Sequence, residues 1–79
     1  MPEEKNIKKR SVKISGHSTS ITIEDEFWAA LKDIAAENKT SLNKLISDID
    51  ENENEGNLSS ALRLYVLRDL QGKLLQQPL

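Results

Sequence analysis

Ser18-Thr19-Ser20-Ile21-Thr22-Ile23, followed without a break by Glu24-Asp25-Glu26-Phe27-Trp28, is the stretch on which the fold of this 79-residue chain turns. β-Branched residues alternate with small hydroxyl residues at period two, the pattern of a strand with one buried face. The pleat places Thr19, Ile21 and Ile23 on one side and Ser18, Ser20 and Thr22 on the other. A lone strand leaves its backbone donors and acceptors unpaired, so this one needs a mate. Upstream, Val12 and Ile14 alternate with Lys13 and Ser15 before Gly16 interrupts. The mate is either that short piece or a strand from another subunit.

Downstream the period changes. Glu24, Asp25 and Glu26 sit where the positive end of a helix dipole favours acids, and Phe27, Leu31, Ile34 and Ala35 then recur at helical spacing. Trp28 and Ala30 widen that apolar stripe, and Trp28 reads as packing rather than as a ligand-stacking platform. Asn38-Lys39-Thr40 reads as a turn in which Asn38 takes the left-handed conformation, with Ser41 capping the next helix. Leu42, Leu45, Ile46 and Ile49 give that helix its face over about residues 42–50. Residues 48–57 read as an acidic, asparagine-rich loop. Asn57 then caps a third helix bearing Leu58, Ala61, Leu62, Tyr65, Val66, Leu67 and Leu70, a band too wide for a solvent-facing helix. Gly72 is expected to weaken or end it.

Composition limits what such a chain can be. Hydrophobic residues make up 37% and charged residues 30%, and cysteine is absent. Domains of this size bury only about 60% of the surface their unfolded chains expose. With disulfides and thiolate metal sites excluded and one histidine present, a partner subunit is the favoured means of stabilisation. No run approaches the roughly 20 apolar residues that cross a bilayer, and the N-terminus lacks a signal-peptide core, so a cytoplasmic location without membrane contact is expected. The formal charge is -2, yet residues 1–14 carry Lys5, Lys8, Lys9, Arg10 and Lys13 against Glu3 and Glu4. Positive potential is therefore concentrated at one end, as a nucleic-acid face requires. Residues 1–10 are expected to form a flexible basic arm, residues 11–75 the domain and residues 76–79 a tail.

The order strand, helix, short turn, helix resembles the ribbon-helix-helix family, Arc- and methionine-repressor-like proteins in which strands of two subunits pair into a β-ribbon. The resemblance covers about residues 11–50. The segments Lys9-Arg10-Ser11-Val12, Gly16-His17-Ser18-Thr19-Ser20-Ile21, Phe27-Trp28-Ala29-Ala30-Leu31, Ser41-Leu42-Asn43-Lys44-Leu45-Ile46 and Leu58-Ser59-Ser60-Ala61-Leu62-Arg63 look like a bacterial subgroup with an added C-terminal helix. It implies a mainly α fold with one short β-strand, an intertwined homodimer and a third helix, with Ser18–Ile23 borrowing its mate from an identical subunit. It also implies a sequence-specific DNA-binding protein acting as a transcriptional repressor, with double-stranded DNA as partner and no cofactor. Ser18, Ser20 and Thr22, with His17 beside them, would contact bases in the major groove. Lys8, Lys9, Arg10 and Lys13, with Ser41, Asn43 and Lys44 at the start of the second helix, would contact phosphates. Ile21, Ile23, Phe27, Trp28, Leu31, Ile34, Leu45, Ile46 and Ile49 would form the dimer core. Ser18 stands where similar proteins often have a basic residue, and Lys39 where glycine or asparagine is usual.

Two other classes are weighed against this. Asp48, Asp50 and Asn52 match the first ligands of a calcium loop, but Glu53 stands where its glycine belongs and Ser59 where its glutamate belongs, so no metal is expected. No nucleophile, base and orienting residue fall together, so an enzyme is not expected. The serious rival is a protein-interaction module or antitoxin-like adaptor, whose third helix docks a protein partner.

Overall fold

Ser15 and Gly16 decide how the strand finds its mate. Both have positive φ, 52° and 83°, the geometry of a two-residue type I′ turn whose twist matches that of the strands it joins. In the computed structural model, which describes residues 7–54 and 56–76, this turn joins β1 (Ile7–Ile14) to β2 (His17–Glu24). The two run antiparallel from Ile14 opposite His17 to Ile7 opposite Glu24. This corrects the expectation of one short strand without a mate in its own chain. Within the chain, β2 finds its mate in β1 as an antiparallel hairpin.

The reason lies in β1's core-facing side. Lys8, Arg10, Val12 and Ile14 share that side with Ile21 and Ile23, so two of its four positions are cationic and the apolar alternation is legible only at Val12 and Ile14. Arg10 acts there as an amphipathic side chain: its guanidinium lies 4.8 Å from the centroid of the Trp28 ring and pairs with Asp25. Residues 7–10, expected in a flexible arm, are therefore strand, while residues 1–6 lie outside the described residues.

Three helices follow, α1 (Asp25–Glu37), α2 (Leu42–Glu53) and α3 (Leu58–Leu75). Asp25 and Glu26 occupy the first turn of α1. Its C-terminus closes in a Schellman motif, with the Thr40 amide donating to the Ala35 carbonyl and the Lys39 amide to that of Ala36. The left-handed residue is Lys39, at φ 56°, whereas Asn38 sits at φ -91° and ψ 4°. The expectation for Asn38 is thereby corrected: the motif's hydrogen bonds place the left-handed residue one position later, against side-chain preference.

Ser41 caps α2, its hydroxyl accepting from the Lys44 amide at 3.1 Å. This helix continues past the expected residue 50, so residues 48–53 are helix rather than loop. Local pairs carry it onward: Lys44 Nζ lies 2.8 Å from Asp48, and the Asn52 side chain donates through Nδ2 to the Asp48 carbonyl at 2.9 Å. Asn57 caps α3 as expected, accepting from the Ser60 amide at 2.9 Å. Gly72 does not end α3, which runs on to Leu75. Lys73 secures that last turn, bonded to Asp69 at 2.8 Å and to Glu37 at 2.7 Å; the two carboxylates, Asp69 foremost, hold its ammonium above the ordinary lysine range.

The core lies between the inner face of the hairpin and the helices. Val12, Ile21 and Ile23 meet Leu31, Ile34 and Ala35 from α1, Leu45, Ile46 and Ile49 from α2, and Ala61, Leu62 and Val66 from α3. Arg63 ties α3 to the β2–α1 junction through Glu24, at 2.8 Å; that hydrogen bond holds the Glu24 carboxyl below its ordinary range. Among the described residues no helix is long and apolar enough to cross a membrane.

Candidate nucleic-acid interface

With the register known, the outer face of the hairpin can be read off residue by residue. Lys9 stands opposite Thr22, Ser11 opposite Ser20 and Lys13 opposite Ser18, and all six are exposed. Directly opposed side chains lie about 4.5–5.5 Å apart at Cβ, so four hydroxyls form a compact central field. The lysines, four residues apart on β1, are separated by about 13 Å at a rise near 3.3 Å per residue. Among the described residues neither lysine has an ion-pair partner. Hydroxyls donate and accept with freely turning protons, and ammonium groups only donate. The face is thus suited to polar base edges at its centre and anions beside them.

The other expected contacts are distributed differently. His17 pairs with Ile14 and so belongs to the opposite side of the hairpin, near the turn. Lys8 also lies there, 3.4 Å from Asp25, with Arg10 on the same carboxylate. Lys9 and Lys13 are thereby separated from Lys8 and Arg10, although all four are neighbours in sequence. At the start of α2 the Asn43 side-chain oxygen accepts from the Lys13 amide at 3.3 Å, and the Ser47 hydroxyl donates to the Lys13 carbonyl at 3.5 Å. The positive end of α2 is therefore held beside Lys13. Lys44 is bonded to both oxygens of Asp48, at 2.8 and 3.0 Å, which raises its affinity for its proton and offsets its charge locally.

Of the residues expected in a dimer core, Ile21, Ile23, Leu31, Ile34, Leu45, Ile46 and Ile49 are buried within the single chain, and Phe27 and Trp28 pack half-buried against them. Thr19, on the same side as Ile21, is exposed, although its cross-strand partner Val12 is buried. Ser11 joins the outer face without having been foreseen; only its register with Ser20 reveals it.

A family model for the ribbon-helix-helix domain matches residues 7–70. Among solved structures, the chain is similar to an uncharacterized protein from Bordetella pertussis Tohama I, with a TM-score of 0.67 and 28% identity over 85% of this chain. The chain spans 59% of the length of that protein. No curated protein matches it. With hairpin, helices and family match running together from β1 nearly to the end of α3, the chain belongs to the ribbon-helix-helix family of DNA-binding domains.

Proposed function

We propose that this chain is a cytoplasmic, sequence-specific transcriptional repressor that lays the outer face of its hairpin into the major groove of double-stranded DNA. The observation that carries this reading is the exposed field of Ser11, Ser18, Ser20 and Thr22 flanked by Lys9 and Lys13. Homodimerisation belongs to the proposal in a form the hairpin changes. β2 has β1 on one side and no strand on the other among the described residues. A second copy adding antiparallel along that edge, about 4.8 Å away, makes a four-stranded sheet with the two β2 strands at its centre. The groove, about 12 Å wide, admits those two central strands. Ser18, Ser20 and Thr22 then face base edges, and the flanking β1 strands bring Lys9 and Lys13 to the phosphate walls. Ser41 and Asn43, at the positive end of α2 beside Lys13, add a phosphate contact.

Hydroxyls discriminate among bases less sharply than a bidentate arginine or asparagine does, so much of the affinity is electrostatic. Selection of bound duplexes from a random pool, followed by titration against salt, tests the proposal. A recovered palindromic motif and a log–log salt slope of about -0.9 per neutralised phosphate are expected. No motif together with salt-independent binding would contradict it.

A further inference from the structure

The hairpin has two outer edges, and the helices treat them differently. Asn43 and Ser47 stand one turn apart on α2 and both reach Lys13: the Asn43 side-chain oxygen accepts from its amide at 3.3 Å, and the Ser47 hydroxyl donates to its carbonyl at 3.5 Å. Both backbone groups of Lys13 therefore point away from β2. Opposed residues of an antiparallel pair alternate between exchanging hydrogen bonds and turning these groups outward. The outward set is thus Lys9, Ser11 and Lys13 on β1, with their register partners Thr22, Ser20 and Ser18 on β2. On β1 the Asn43 oxygen stands where the carbonyl of an added strand would have to stand. On β2, among the described residues, no hydrogen bond from a helix reaches Ser18, Ser20 or Thr22.

An open edge is a template for another strand, and a covered one is not. Glu24, next in the alternation on β2, is the N-cap of α1, so its carbonyl is committed to the helix. The open positions are then Ser18, Ser20 and Thr22, evenly spaced about Ser20. A second β2 running antiparallel engages all three only with Ser20 opposite Ser20 and Ser18 opposite Thr22. A slip in either direction loses part of the set, and a slip that exchanges the faces is excluded by the buried side. On the core-facing side the same register sets Thr19 opposite Ile21 of the second copy. Thr19 is exposed in the single chain while Val12 beside it is buried, and a β-branched neighbour across the new edge covers it.

We infer that Asn43 and Ser47 close β1 to strand addition and confine it to β2, where a second copy pairs in one register centred on Ser20. This rests on the ribbon pairing proposed above and adds its register and its limit: each copy has one open edge, so the sheet stops at four strands. Across the outer face, two rows related by the two-fold axis read Lys9, Thr22, Ser18 and Lys13, and the row between them reads Ser11, Ser20, Ser20 and Ser11. Lysines end both outer rows, about 14 Å apart at a strand spacing near 4.8 Å. Serines alone fill the middle one, so the centre of a palindromic site meets only hydroxyls.

With no cysteine in the chain, single cysteines report the register without DNA. Ser20→Cys, mildly oxidised, should give a covalent species of two copies, because opposed hydrogen-bonded residues stand about 5.5 Å apart at Cα, within disulfide reach. Ser18→Cys, displaced from its own counterpart by about 13 Å along the strand, and Ser11→Cys, three strands from its counterpart, should give none. A cross-link at position 18 in place of 20 means another register, one at position 11 means an open β1 edge, and none at position 20 means no such pairing; each overturns the inference. Ser20→Pro removes an outward amide and no bond of the hairpin, so it should halve the sedimentation mass, while Ser11→Pro should leave it unchanged; the reverse overturns the inference. Where a proline variant unfolds by circular dichroism, the cysteine set decides alone. Salt-dependent DNA binding by a chain that does not cross-link at position 20 removes this inference and leaves the DNA reading, whereas a cross-link there without DNA binding does the opposite.

Discussion

The outer face of the hairpin and the outer face of α3 are both left open by the fold, yet they are opposite in chemistry. The first presents hydroxyls and two lysines on a hairpin whose strands pair with each other along one edge; the second presents leucines on a helix whose other side is in the core. A surface that water solvates well gives up that hydration only for a partner with complementary charge and hydrogen-bonding groups. A surface of leucines associates because it leaves water, and needs only shape and spacing from its partner. One chain thus exposes a polar face on its hairpin and an apolar face on α3.

Substitutions can break this division or sharpen it. The largest effect is expected where α3 meets the core: Leu62, fully buried, changed to Ala should cost about 3 kcal/mol, against under about 1 kcal/mol for exposed Leu64. Urea titration of both variants at one protein concentration checks the contrast. Next comes the hairpin. Lys9→Ala with Lys13→Ala should weaken DNA binding about 10- to 100-fold, evenly across sequences, and make the salt slope shallower by about one for each lysine that contacts a phosphate. Fluorescence anisotropy over a range of salt concentrations reads both quantities.

Arg10 separates the two sides of the same strand. Its replacement by Ala removes the Trp28 stack and the Asp25 pair, so stability should fall by about 1–2 kcal/mol. The salt dependence of DNA binding should stay as in the unaltered chain. A drop in the slope equal to that of the Lys9 variant would place Arg10 at the phosphates instead. The smallest effect is expected at the α1–α2 turn, where Lys39→Gly should raise stability by about 0.5–1 kcal/mol by relieving the left-handed conformation. Thermal denaturation resolves a shift of that size.

What could be read in advance follows the same division. Regular apolar spacing announced α1 through Phe27, Leu31 and Ile34, and the caps Ser41 and Asn57 announced where α2 and α3 begin. β1 escaped because its core-facing positions include Lys8 and Arg10, whose polarity is absorbed by Asp25 and Trp28, residues brought near only by the fold. The Ser15-Gly16 turn was visible as an interruption but not as a hairpin, since serine rarely takes positive φ. α2 outran its expected end because Lys44, Asp48 and Asn52 support one another at helical spacing, while their composition reads as loop. For the outer face of the hairpin, Ser18, Ser20 and Thr22 were legible from the alternation of one strand. Their grouping with Lys9, Ser11 and Lys13, and the exclusion of His17, Lys8 and Arg10, depends on a cross-strand register that no single strand carries.

Mapping of backbone amide resonances during titration with a selected duplex tests most directly whether the hairpin is the DNA-reading surface. Shifts concentrated at Lys9, Ser11, Lys13, Ser18, Ser20 and Thr22, with residues 64–75 of α3 unperturbed, are the expected result. Perturbation centred on α3, with the hairpin silent, would contradict it.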